Sequence, residues 1–161
     1  MKRILVTLAL LLAVGVSALA QSGRKIYNKY SDMPEVNATY VSPAIFRIFR
    51  HLPEDMAISG DFNILPLLKT AKGLYSLNTD DAQVAEKLYA DIKKYVTRGV
   101  YEILMETKEN GSVSRIYTVG NKDTVTSLVF VNQEDGHASF LCLDGKMPRK
   151  QIEDLLEEAE D

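Results

Sequence analysis

The chain predicts an α+β domain: a mostly antiparallel sheet, closing in a four-strand meander, with helices packed on one face. Two observations carry this. The apolar period is close to 3.6 up to Gly99 and changes to 2 from Val100 onward. Beyond that point, Glu109-Asn110-Gly111, Gly120-Asn121-Lys122-Asp123 and Glu134-Asp135-Gly136 divide the alternating runs. Asn-Gly and Asp-Gly tolerate positive φ, which tight hairpins require, and short links force antiparallel neighbours.

The elements follow in order. Met1 to Ala20 reads as a signal peptide. Lys2 and Arg3 precede a nearly unbroken apolar run, Ile4 to Val16, and Ala18-Leu19-Ala20 offers the small side chains a signal peptidase reads. Cleavage is expected between Ala20 and Gln21, leaving residues 21–161 as one domain with no membrane span. Ile26, Tyr27 and Tyr30 suggest a short amphipathic helix ended by Pro34, and Val36 to Val41 a short strand. Ser42-Pro43 reads as a hydroxyl N-cap followed by proline at the first helical position, opening a helix that carries Ile45, Phe46, Ile48 and Phe49. Residues 53–70 read as a loop entering a short helix, and Leu74 to Leu77 as a strand.

Asp80 or Asp81 should cap the clearest helix. Val84, Ala85, Leu88, Ile92, Tyr95 and Val96 recur as one stripe, with Glu86, Lys87, Asp91, Lys93 and Lys94 facing out. Gly99 suits the position just past its end. Val100–Thr107, Val113–Val119, Thr124–Val131 and Ala138–Leu143 are the meander strands. Pro148 opens a last helix with Ile152, Leu155, Leu156 and Ala159 inward. Its basic start and acidic end oppose the helix dipole, so its final turn should fray.

This order resembles the domain of unknown function 4252 family, small exported proteins of Gram-negative bacteria. The likeness rests on Lys29-Tyr30-Ser31-Asp32-Met33, Val41-Ser42-Pro43-Ala44-Ile45-Phe46, Gly73-Leu74-Tyr75, Ala85-Glu86-Lys87-Leu88 and Tyr101-Glu102-Ile103-Leu104-Met105-Glu106. It covers most of residues 25–158. The resemblance implies an exported α+β domain and brings no catalytic residue with it. Members are often lipoproteins, whereas this chain has Gln21 where a lipidated cysteine would stand.

Composition narrows the function. The formal net charge is −3, and removal of the leader takes away Lys2 and Arg3 but no acid. Nucleic acid and anionic lipid both need clustered cations, so neither is an expected partner. Cys142 is the single cysteine, which excludes an intramolecular disulfide, and its apolar surroundings suggest a buried thiol. His51 and His137 have no ligand partner at helical spacing, so no metal is expected. Ser42 and Ser59 lack the glycine-flanked turn of a serine nucleophile, and Glu54/Asp55, Asp80/Asp81 and Glu134/Asp135 read as caps and turns. Neither a calcium loop nor a glycine-rich phosphate loop is present, so no cofactor is expected and an enzyme is not.

One feature points elsewhere. A sheet covered on one side should alternate apolar and polar residues. Leu128 and Phe130 oppose Val125, Val129 and Val131 in one strand, and Phe140 and Cys142 oppose Leu141 and Leu143 in the next. Either helices cover both faces or one face is an interface. Leu128, Val129, Phe130 and Phe140 are therefore the candidate interface residues. The expected function is non-enzymatic binding of a protein or peptide partner, or of a second copy, in the periplasm, the cell envelope or beyond. The alternative is a small-molecule or lipid binder with a cavity lined by Phe46, Phe49, Phe62 and Leu68.

Overall fold

The computed structural model describes residues 22–53 and 65–158. The leader, its cleavage bond at Ala20–Gln21, Phe62 and Ala159 lie outside the described residues. The element order is α1 (Ser22–Tyr30), β1 (Asn37–Val41), α2 (Pro43–Phe49), α3 (Leu65–Thr70), β2 (Ala71–Thr79), α4 (Ala82–Arg98), β3 (Glu102–Glu109), β4 (Ser112–Gly120), β5 (Thr124–Glu134), β6 (His137–Pro148) and α5 (Arg149–Glu158). All six strands join one antiparallel sheet in the order β1-β2-β6-β5-β4-β3. The fold is α+β, and the expected meander is its β3-β4-β5-β6 part. No helix among the described residues is long and apolar enough to cross a membrane.

The turns use the predicted chemistry. Asn110 and Gly111 both take positive φ, 47° and 87°, at the β3–β4 hairpin. The Asn121 side chain accepts from the backbone N–H groups of Asp123 and Thr124 at 2.9 and 2.8 Å, folding the β4–β5 link into an Asx turn. Asp81 caps α4 by accepting from the N–H groups of Gln83 and Val84 at 3.0 and 2.9 Å. Two expected caps differ. Ser42 sits at the N-cap of α2 in extended conformation without a side-chain cap bond. Gly99 closes α4 with φ −104°, outside the left-handed region. Glycine has a different reason there: a Cβ would stand 2.8 Å from the Tyr101 ring.

The expectation of helices on one face is corrected: they cover both. Helices α1 and α4 lie on the first face, where Ile26, Tyr30, Ala85, Leu88, Ile92 and Val96 pack against Tyr75, Leu77, Val129, Val131, Phe140 and Cys142. Helices α2, α3 and α5 lie on the second, where Phe46, Leu67 and Ile152 pack against Val125, Leu128, Leu143 and Met147. A register shift between Val125 and Ser127 lets Val125 join Leu128 on the second face despite odd spacing. Strands β5 and β6 are apolar on both sides because they are the middle of a three-layer sandwich.

Candidate functional site

Three of the four candidate interface residues are core. Leu128 and Val129 are each 2% exposed and Phe140 is 3% exposed. Phe130 is 37% exposed. The difference is position along the strand. The second-face helices cover the sheet near the β4–β5 turn, and Phe130 lies beyond them, toward the β5–β6 turn.

Register shows what surrounds Phe130. Ser76 pairs with Leu141, Leu141 with Phe130, Phe130 with Ile116, and Ile116 with Met105. These residues form one row across five strands on the second face. The next row outward is Asn78, Ser139, Asn132, Ser114 and Thr107, paired in the same way. The row inward, Leu74, Leu143, Leu128 and Thr118, runs into the second core. The face thus grades from buried apolar, to half-open apolar, to uncharged polar. An open trough of about 450 Å³ follows the two outer rows. Asn132 Oδ1 accepts from the hydroxyls of Ser112 and Ser114 at 3.0 and 2.9 Å, and Asn78 donates to Ser76 Oγ at 3.3 Å. These bonds hold the polar rim in place and leave hydrogen-bonding capacity toward solvent.

Of the residues expected to line a cavity between sheet and helices, Phe62 lies outside the described residues and the other three are placed. Phe46 is 1% exposed, its ring lies 6.1 Å from that of Phe49, and Leu68 packs against the same core. His137 Nδ1 lies 2.7 Å from Asp80 Oδ1, tying the β5–β6 turn to the start of α4. No group of three His, Cys, Asp or Glu side chains fit to hold a metal occurs among the described residues.

A buried polar cluster lies in the first core. Cys142 Sγ is 3.4 Å from Ser127 Oγ and 3.5 Å from Asp144 Oδ1. Burial, then the Asp144 charge, pushes the thiol well above its ordinary range. Gly23 lies over this sulfur so closely that a Cβ would stand 2.3 Å from it. Cys142 should therefore resist alkylation in native protein and react once urea unfolds it, as a mass shift would show; fast native labelling would place the thiol at the surface.

Burial also raises the Asp144 carboxyl, against the hydrogen bonds from Ser127 and Cys142. The folded state then binds a proton that the unfolded state releases. The associated stability is present below the unfolded value, about 4, and is lost as pH rises through the higher folded value. Asp144→Asn should remove this loss. In urea melts, the advantage of the variant over wild type should widen as pH rises from the acid range to neutrality. A constant difference would show that Asp144 is as well solvated in the fold as outside it.

On the first face, α1 and α4 bound a second opening of about 410 Å³, lined by Lys25, Ile26, Lys29, Asp91, Lys94, Tyr95, Arg98, Gly99 and Tyr101. Asp91 Oδ2 accepts from Lys29 Nζ at 2.5 Å and from the Tyr30 hydroxyl at 2.7 Å. Burial alone would raise the Asp91 carboxyl, but these two donors hold it below its ordinary value. Sequence reasoning placed Asp91 and Lys94 on the outward side of α4 and gave Lys25 and Lys29 no role. The grouping depends on α1 crossing α4, which has no local signal.

The family model described as Domain of unknown function (DUF4252) matches residues 30–155, most of the chain, and the protein belongs to that family. No curated protein and no solved structure matches the chain.

Proposed function

We propose that this member of the domain of unknown function 4252 family is an exported, non-enzymatic envelope or periplasmic protein. It binds a protein or peptide partner, a second copy of itself included, through the open strip centred on Phe130. The observation that carries this is the cross-strand row Leu141–Phe130–Ile116–Met105. It is a continuous apolar strip between a helix-covered core and a row of amides and hydroxyls. An apolar centre with a hydrogen-bonding rim is the anatomy of a protein interface. Neither row contains a charged side chain, so a partner docks here without desolvating ions. The export half of the reading rests on the leader pattern, Lys2-Arg3 before Ile4 to Val16 and Ala18-Leu19-Ala20.

A photoreactive side chain at position 130 should give a discrete adduct with an envelope protein or with a second copy. The same group at Lys87, on the polar side of α4, should give none; equal yields from the two positions would overturn the reading. Phe130→Lys should abolish the association in sedimentation experiments. It should leave the circular dichroism spectrum intact and lower stability by less than ~2 kcal/mol, since the ring is only partly buried.

A further inference from the structure

We infer that the opening between α1 and α4 is a binding site for a small organic anion with an aromatic or alkyl body. The inference does not depend on the sheet strip, which lies on the opposite face. Lys25, Ile26 and Lys29 on α1 confront Asp91, Lys94, Tyr95 and Arg98 on α4, the latter spaced as one helical stripe. The rim holds four cations and one carboxylate, and that carboxylate is already engaged by Lys29 and Tyr30. Lys25, Lys94 and Arg98 have no ion-pair partner among the described residues. In a protein with formal net charge −3, this is a local excess of positive charge.

The floor is different in kind. Ile26 is 6% exposed, and the Tyr95 and Tyr101 rings meet edge to face with centroids 5.7 Å apart. Gly99 keeps this end open to the Tyr101 ring, since a Cβ there would collide with it. The volume is within the range of small-ligand sites and too small for a folded partner. A cationic rim over an aromatic floor selects a ligand with both parts: a carboxylate, sulfonate or phosphate for the lysines and arginine, and an apolar body for the tyrosines. Inorganic anions would gain nothing from the floor, and apolar cations would be repelled by the rim.

The test uses 4-phenylbutyrate, 4-phenylbutylamine and inorganic phosphate, followed by amide chemical shifts of the purified protein. Phenylbutyrate should saturate with a Kd below about 1 mM and shift Ile26, Lys29, Gly99 and Tyr101. The amine and phosphate should each bind at least about tenfold more weakly. The double variant Lys94→Gln/Arg98→Gln should weaken phenylbutyrate binding by at least about tenfold, with an unchanged circular dichroism spectrum. The inference is overturned if phenylbutyrate does not saturate, or if the amine or phosphate matches it. Undiminished binding to the double variant, or shifts centred on Phe130 and Leu141, would overturn it as well.

Discussion

Replacing Leu88 by alanine should lower the unfolding free energy by about 2–5 kcal/mol, the range for truncating a fully enclosed leucine. Leu88 is 0% exposed at the middle of the α4 stripe, between Ala85 and Ile92, where that helix meets the first face of the sheet. The surroundings cannot collapse into the space, because strands β2, β5 and β6 below are fixed by pairing on both sides. The matched control is Glu86→Ala, on the exposed side of the same helix, which should change stability by under ~0.5 kcal/mol. Urea melts of both variants check the pair. Equal effects would mean that α4 presents another face to the sheet.

Leu128→Lys should leave the protein largely unfolded. Leu128 is 2% exposed in the second core, among Phe46, Leu67, Leu143 and Met147. None of these offers a counter-charge, and a lysine ammonium at such a site must be desolvated or neutralised. Buried lysines titrate roughly 3–5 pH units below solvated ones, which at about 1.4 kcal/mol per unit amounts to ~4–7 kcal/mol. That is comparable with the whole stability of a domain, ~5–15 kcal/mol. Phe130, two residues on and on the same face, reaches solvent, so the same substitution there should be tolerated. Circular dichroism and sedimentation of the two variants locate the boundary between core and strip. A folded Leu128→Lys protein would extend the open strip to the row containing Leu143.

Much of the fold was legible because its signals are local. The period change at residue 100, the Asn-Gly turn at residues 110–111 and the Asp81 cap each depend on residues within one turn of one another. The second helical layer was not legible. Helix α3 is only six residues long and carries no face pattern, and α5 declares its apolar stripe without saying which side of the sheet receives it. The bulge at Val125/Ser127 also broke the period-2 reading, so Val125 was placed with Val129 and Val131. The apolar strip was half legible. Two-sided apolar strands singled out the right region, but Leu128, Val129 and Phe140 could be separated from Phe130 only by knowing where the helices end. The polar row from Asn78 to Thr107 is invisible in sequence, since its five members come from five strands and meet only through register. The α1–α4 opening was missed for the same reason.

The position of β6 has a consequence for timing. Residues 137–148, close to the C-terminus, pair with β5 on one side and with β2 on the other. Both faces of β6 enter a core, Phe140 and Cys142 in one, Leu143 and Met147 in the other. A chain emerging N-terminus first, from a ribosome or a translocation pore, must therefore expose α1, β1 and β2 without their neighbour. Neither layer can close until β6 is out, because its pairs with β2 run from Thr79–Ala138 to Ala71–Gly145, far apart in sequence. The topology leaves the apolar sides of β2 uncovered until β6 emerges. For that interval the first half presents the kind of exposed apolar surface that is prone to aggregate.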